Sequence, residues 1–490
     1  MTKRALAAAI GVVAGALLRP LVAFAGDVEA LREQVDRQSA LIRQQSEALE
    51  RQSREMQQMG DRLRALEDER DQVAASAPAG TGVAAPSAGG PAAAPAPHRA
   101  GAGFPLARTE WGAANLRLYA SLRYLNQRGL DEVYTDSFGV KTELDRRQDI
   151  HLQKVNLQFN GWVLDERLRY LLYVWSANTS QGLGAQVIVA GNLNFEVADW
   201  LTLSGGTGSL PGVRSTSGNF PFWLTQDNRL IADEFFRPSY TFGIWASGDL
   251  PQNLRYQIML GNNLSQLGVD AGQLDSGLNS LSATLAWQPQ GDYGAGFGDW
   301  ENHENVSTRL AAHFTRSRED AQSQPNTDSF ENVTVRLSDG NVVFEPDLFG
   351  PGVRVRDVTY QMAAVDAGIK YRGLSLEAEY YYRWLDNFRG PGTDPLPFDT
   401  LNDHGFQVQT SAMVIPEKLQ AYVVGSMVFG EYGEPWDARL GVNWFPFDTR
   451  ALRWNNELMW VDESPVGGLS LPYQVGANGL IFSSNVELNF

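Results

Sequence analysis

The chain has 490 residues, no cysteine, 20% charged residues and a formal charge of −17. The lack of cysteine excludes a disulfide framework, a zinc–thiolate centre and a thiol nucleophile. The acidic balance excludes a general nucleic-acid binder, which needs a basic surface to neutralise phosphates. After the first 25 residues no apolar run approaches the ~18–20 residues of a membrane helix, so a membrane crossing would have to use strands.

The N-terminus reads as a secretory signal. Lys3 and Arg4 precede a short apolar stretch over 5–18, Arg19 and Pro20 break it, and Ala23-Phe24-Ala25 forms a small-residue cleavage pattern. From Val28 a seven-residue repeat follows. Val28, Val35, Ile42, Leu49, Met56 and Leu63 hold one core position, and Leu31, Gln38, Gln45, Gln52, Met59 and Leu66 hold the other. Such a repeat predicts a left-handed coiled coil over 26–73, with polar glutamine layers that specify register or oligomer number. The next 30 residues contain 24 Ala, Pro or Gly and predict a spacer over 74–103 that buries no core.

From Phe104 onward the sequence alternates. In 115–125, Leu116, Leu118, Ala120, Leu122 and Tyr124 oppose Arg117, Tyr119, Ser121 and Arg123. In 374–384, Leu374, Leu376, Ala378, Tyr380, Tyr382 and Trp384 oppose Ser375, Glu377, Glu379, Tyr381 and Arg383. Alternation over about ten residues is the pattern of a tilted strand crossing a bilayer, apolar toward lipid and polar toward a lumen. Sixteen such segments are centred near 120, 157, 171, 190, 203, 244, 258, 284, 311, 367, 379, 410, 424, 441, 457 and 485. They predict an all-β outer-membrane barrel over 104–490, with both barrel ends on the periplasmic side because the strand number is even. The last segment places Leu480, Phe482, Val486, Leu488 and Phe490 on one face, and the chain stops there. A terminal Phe490 after an alternating strand resembles the signal read by the barrel-assembly machinery. Trp111, Trp162, Trp175, Trp200, Trp245, Trp287, Trp384, Trp444 and Trp460 sit near strand ends, where interfacial girdles need aromatics. The loops 288–305 and 317–357 are long enough to be extracellular.

Inverting the alternation gives the inward face. Arg117, Arg123, Lys154, Arg167, Arg169, Arg255, Arg309, Lys370, Arg383, Arg439 and Arg453 point inward, against Asp366, Glu377, Glu379, Glu457 and Glu487. The remaining acids, among them Glu319 and Asp403, are assigned to loops and turns. An inward excess of Arg favours anions, unless those Arg pair with acids.

A family resemblance that covers about 150–430 is carried by the region 205–247 and its flanks: a basic strand ending at Gly161, Leu203-Ser204-Gly205-Gly206, Pro211, then Arg229, Phe235-Phe236-Arg237-Pro238 and Gly248-Asp249-Leu250. This order resembles the phosphate-selective porin O/P family. The resemblance implies a homotrimer of sixteen-stranded barrels whose third loop, 208–234, folds inward as a constriction lined by Arg214, Asp227, Arg229 and Asp233. Lysines are scarce in the barrel (Lys141, Lys154, Lys370 and Lys418). The expected function is therefore passive diffusion of small hydrophilic solutes with a preference for anions, phosphate-like anions included. The coiled coil resembles the periplasmic extension of sucrose-type sugar porins. That makes a carbohydrate channel the alternative, with Tyr119, Tyr173, Tyr381 and Tyr422 as inward aromatics. A plugged barrel serving as an envelope tether, its rod reaching peptidoglycan, is a further alternative.

No catalysis and no cofactor are expected. His98, His151, His303, His313 and His404 lie in neither an H-E-x-x-H nor a G-x-S-x-G context. Asp292, Asp299, Glu301 and Glu304 form an acidic stretch whose oxygens are the type that calcium uses.

Overall fold

The structure, a computed structural model, describes residues 103–177, 186–216, 222–226, 229–265, 277–294, 296–322, 335–394, 396–467 and 471–490. The expected signal peptide, the coiled coil and, apart from Gly103, the linker lie outside the described residues, as does Asp227.

Nineteen strands are present among the described residues. β1 (Phe104–Thr109) pairs with the start of β2 (Gly112–Leu130), and β3 (Val133–Thr135) with β4 (Lys141–Glu143) makes a small separate hairpin. The others are β5 (Gln148–Val163), β6 (Asp165–Ala177), β7 (Gln186–Ala198), β8 (Leu201–Ser209), β9 (Tyr240–Leu250), β10 (Leu254–Gly261), β11 (Ser280–Trp287) and β12 (Ser307–Asp320). They continue as β13 (Asp357–Tyr371), β14 (Leu374–Arg389), β15 (Leu401–Ile415), β16 (Leu419–Phe429), β17 (Trp436–Trp444), β18 (Leu452–Asp462) and β19 (Gly479–Asn489). β2 and β5 through β19 pair antiparallel, each with its neighbour in sequence, and β19 closes on β2. The result is a closed sixteen-stranded antiparallel barrel, which leaves no sheet edge to be satisfied. Every segment centre read from the sequence falls within one of these strands.

Alternation decides which way each side chain faces. On β12 the odd residues Ser307 through Glu319 are buried, while Leu310, Ala312 and Phe314 are exposed. On β7 the outward residues are Val187, Val189, Leu193, Phe195 and Val197, with Val189 76% exposed. A soluble barrel could not leave this aliphatic surface uncovered.

One end carries the barrel termini and mostly tight turns: Leu164 (φ 67°), Pro251–Asn253, Arg372-Gly373 and Glu417 (φ 57°). The other end carries the loops 131–147, 210–239, 321–356 and 463–478. The loop 288–305, expected among the extracellular loops, belongs to the 288–306 connection that joins β11 to β12 at the turn end. Trp111, Trp200, Trp287 and Trp444 are exposed at the turn end, and Trp384 and Trp460 face outward toward the loop end. Trp162, Trp175 and Trp245 are not girdle residues. They lie across from inward Arg169, Asn156 and Ser204, so their rings face the lumen.

The apolar core sits inside the barrel. Leu210, Val213, Ile231, Phe235 and Phe236 from the 210–239 segment pack with Met362, Tyr381, Val428 and Met459 of the wall. Val335, Leu337 and Val355 of one loop and Leu471 and Tyr473 of another join the same cluster. Phe236 stacks on Tyr381 at 5.1 Å and meets Phe235 edge-on at 5.0 Å. Gly212 permits the inward bend, because a Cβ there would lie 2.4 Å from Pro238 Cγ. At the seam, Phe490 exchanges backbone hydrogen bonds with Leu118 and stacks on Phe104 at 5.9 Å.

Candidate functional site: a half-filled lumen

The described residues of the 210–239 segment lie inside the barrel, where the family resemblance implied a constriction loop over 208–234; β8 runs to Ser209 and β9 begins at Tyr240. The segment's described residues include a 3-10 turn (Arg214–Thr216) and a short helix, α1 (Ile231–Phe236), whose six residues are all buried. The helix has no side-chain N-cap of its own. Its first N–H groups are taken by the barrel wall instead. Ile231 N donates to the Asp437 carboxylate at 3.3 Å and Ala232 N to Ser426 Oγ at 3.0 Å. A carboxylate at that position satisfies orphan donors and opposes the positive end of the helix.

Among the described residues, six further wall side chains hold the segment. Arg214 pairs with Glu377 at 2.8 Å, and its backbone N donates to Glu379 at 2.8 Å. Arg439, paired with Asp437 at 2.7 Å, donates to the Arg229 carbonyl. Arg453, paired with Glu487 at 2.6 Å, donates to the carbonyls of Trp223, Leu224 and Thr225. Asn443 donates to Leu224 O at 2.9 Å, and Tyr360 to Phe236 O at 2.6 Å. Within the segment, Arg229 lies 3.6 Å from Asp233, and Arg237 pairs with Glu234 at 2.8 Å. Burial pushes the Asp233 carboxyl above its ordinary range, against the opposing pull of Arg229 and Arg237.

From the turn end the 288–306 connection also folds inward. Lys370 donates to Gly296 O at 3.1 Å and lies over the Tyr293 ring, and Tyr293 donates to Glu377 at 3.2 Å. Arg450 is sandwiched between Phe222 of the inward segment (4.4 Å) and Trp300 (5.0 Å), and pairs with Glu301 at 3.0 Å. Asp299, Glu301 and His303 draw close. Asp299 is committed to His303 and to Gly373 N, and Glu301 to Arg450.

The sequence-derived lumen residues therefore fall into two groups. Arg309, Lys370, Arg383, Arg439 and Arg453 face inward but are buried beneath the inward segments. Arg309 pairs with Asp366, and Arg383 with Asp403 at 2.6 Å. Arg123 and Lys154 are buried too, with Lys154 over the Trp175 ring at 5.7 Å. Arg117 is half-buried at the start of β2.

Arg169 and Arg255 remain exposed, paired with Glu196 at 3.2 Å and Asp249 at 2.6 Å. Arg255 opens onto a cavity of about 790 Å³ between the inward segments and β7 to β12, also lined by Glu196, Asp199, Asp249, Gln257, Thr284 and Asp292. Arg167 is exposed at the start of β6, over the outward Phe195 ring, and is not a lumen residue. Glu319 and Asp403, assigned to loops, are buried wall residues of β12 and β15, and Asp437 and Asp249 are further inward acids. Their parity with inward Ser317, Gln407, Arg439 and Ser247 on the same strands is the signal that marks them. Of the inward tyrosines, Tyr119, Tyr381 and Tyr422 are buried and Tyr173 is half-buried.

No protein-family model matches the sequence, and no curated protein matches it. Among solved structures, the chain is similar to an anion-selective porin from Comamonas acidovorans (10% identity, TM-score 0.48, covering 77% of this chain and 100% of that one). It is also similar to the outer membrane channel DcaP of Acinetobacter baumannii (9% identity, TM-score 0.47, covering 79% and 99%). A third is outer-membrane expressed OmpT of Vibrio cholerae (10% identity, TM-score 0.48, covering 78% and 99%). The architecture rests on this chain's own strand pairings.

Proposed function

We propose that the protein is an outer-membrane channel through which small hydrophilic solutes diffuse passively. The observation that carries this reading is the closed barrel with an exposed apolar outer face and a polar inner one, the arrangement that a bilayer-spanning barrel requires. The path runs along the inner wall of β6 to β11, because the lumen beside β12 to β19 is filled by the 210–239 segment. Arg169 and Arg255 are its exposed cations, and each faces a carboxylate. Any anion preference is therefore weak, and phosphate is one anion among several. The N-terminal rod reads as periplasmic, joining three copies and reaching toward peptidoglycan, and Phe490 as the residue offered to the assembly machinery. Single-channel recording in a planar bilayer tests the reading, with discrete open levels expected.

The filled half-lumen favours one second reading, a plugged barrel serving as an envelope tether. A barrel that inserts but passes no current would establish it in place of the channel. Burial of Tyr119, Tyr381 and Tyr422 removes most of the aromatic surface that the carbohydrate reading would use.

A further inference from the structure

The outer face of the barrel carries an unusual set of cations at the loop end of β12 to β14. Arg316 and Arg318 alternate with buried Thr315, Ser317 and Glu319, so both point outward. Below Arg316 lies outward Phe314, and Gln361 and then Trp384 follow it on the neighbouring strands. Phe314 and Trp384 are 6.4 Å apart, and Tyr382 lies 5.7 Å from Trp384, forming an aromatic belt. Beyond the strand ends the ladder continues, because Arg356 N donates to Arg389 O and Arg354 N to Pro391 O. Val355 and Phe388 face the interior core, which leaves Arg354, Arg356 and Arg389 exposed on the outside.

Among the described residues, Arg318 pairs with Asp357 at 3.0 Å, while no carboxylate pairs with Arg316, Arg354, Arg356 or Arg389. In a chain of charge −17, these five guanidinium groups outnumber the outward carboxylates beside them, Asp320, Asp357 and Asp386, of which Asp386 accepts from Gln361 at 3.0 Å. An outward Arg is costly at the bilayer midplane and nearly neutral at the interface. At the interface it meets the chemistry that its planar fork matches best, a phosphate. Arg316 and Arg318, two residues apart on one face, are separated by about 6.6 Å along the strand, so one headgroup can engage both.

We propose that this face binds the phosphate groups of a lipid headgroup, a phosphorylated glycolipid of the leaflet at the loop end. The belt of Phe314, Tyr382 and Trp384 would receive the acyl chains beneath it. A free anion would have no use for that belt, so the site is assigned to a lipid. The proposal rests on the outer-membrane reading.

The test is native mass spectrometry of the full-length protein in detergent, titrated with diphosphoryl lipid A and with the same lipid stripped of phosphate. Expected is retention of the phosphorylated lipid, at least tenfold weaker retention in Arg316→Gln/Arg318→Gln, and no displacement by excess inorganic phosphate. Planar-bilayer conductance of the double variant should equal that of the unaltered protein, which shows that it folds and inserts. If the double variant does not assemble, Arg354→Gln/Arg356→Gln gives the same readout above the strand ends. Equal retention by a variant that inserts, equal retention of the stripped lipid, or displacement by inorganic phosphate would overturn the proposal alone. A protein that never enters a bilayer would overturn the membrane reading beneath it.

Discussion

Arg214 and Glu377 meet at 2.8 Å where the inward segment crosses β14, and each side chain is only about 5% exposed. Arg214 also donates to Gly296 O of the 288–306 connection, and its guanidinium lies 4.8 Å from the Phe297 ring. One cation thus joins a loop from one end of the barrel, a connection from the other end, and the wall between them. Removing one partner of a buried pair leaves an uncompensated charge and costs about 3–5 kcal/mol. Glu377→Ala is therefore expected to loosen the segment locally rather than unfold the barrel, whose strand ladder does not depend on the pair. The expected result is a larger, noisier single-channel conductance together with faster proteolysis of the intact protein within 210–239. Unchanged conductance and cleavage would show that the remaining anchors suffice without this one.

Arg255 and Asp249 sit directly opposite each other on β10 and β9, and both remain more than half exposed. They are the clearest charges facing the open cavity, so they make a signed test of the path. Arg255→Ala should move the reversal potential under a salt gradient toward cations, and Asp249→Ala should move it toward anions. The two shifts should be of similar size and fade toward 1 M salt, where the Debye length is about 3 Å. If neither substitution moves the potential, ions do not pass this wall.

The lipid face gives a prediction about stability. Leu440 is exposed near the middle of β17, between outward Ala438 and Val442. An Arg placed on the lipid face near the bilayer midplane costs about 2–4 kcal/mol, so Leu440→Arg should lower the free energy of unfolding in liposomes by that amount. Gln257→Arg, on the inward face beside the open cavity, should change it by less than about 1 kcal/mol. Equal costs for the two would mean that the outer face is not held in lipid, and a reversed order would mean that inward and outward faces had been exchanged.

What was legible in the sequence follows the range of each interaction. Strand positions are local, because period-two alternation is written in consecutive residues, and that is why all sixteen barrel strands were anticipated. Facing direction is less secure at bulges. The β5–β6 register shifts between Trp162 and Val163, and an expectation based on strand-end aromatics placed Trp162 outward. Which end holds the 288–306 connection follows from counting strands, and its length misled because long connections usually lie at the loop end. The pairing of lumen charges was the least visible. Arg453 finds Glu487 across a strand and the carbonyls of Trp223 and Thr225 more than 200 residues away. No spacing rule contains that contact, so the Arg excess read from alternation overstated the free positive charge.

Asp233 offers the last test, through pH. Its carboxyl is fully buried on α1, 3.6 Å from Arg229. Burial raises it above the ordinary range more than the neighbouring Arg229, Arg237 and Ser215 lower it, and Glu234 adds to the rise. A carboxyl raised in the folded state is most costly when ionised. Its unfavourable contribution is therefore absent below the unfolded value, about 3.9, grows as pH climbs toward the folded value, and stays constant above it. Asp233→Asn keeps the shape and removes the charge. The variant should be more resistant than the unaltered protein to denaturant at pH 7 to 8, and the two midpoints should converge as pH falls toward 3 to 4. Denaturant titrations of both proteins at several pH values between those limits measure this directly. An Asn variant that is weaker at neutral pH would mean that the attraction of Arg229 and Arg237 outweighs the cost of burial, and that the charge on Asp233 holds the inward segment in place.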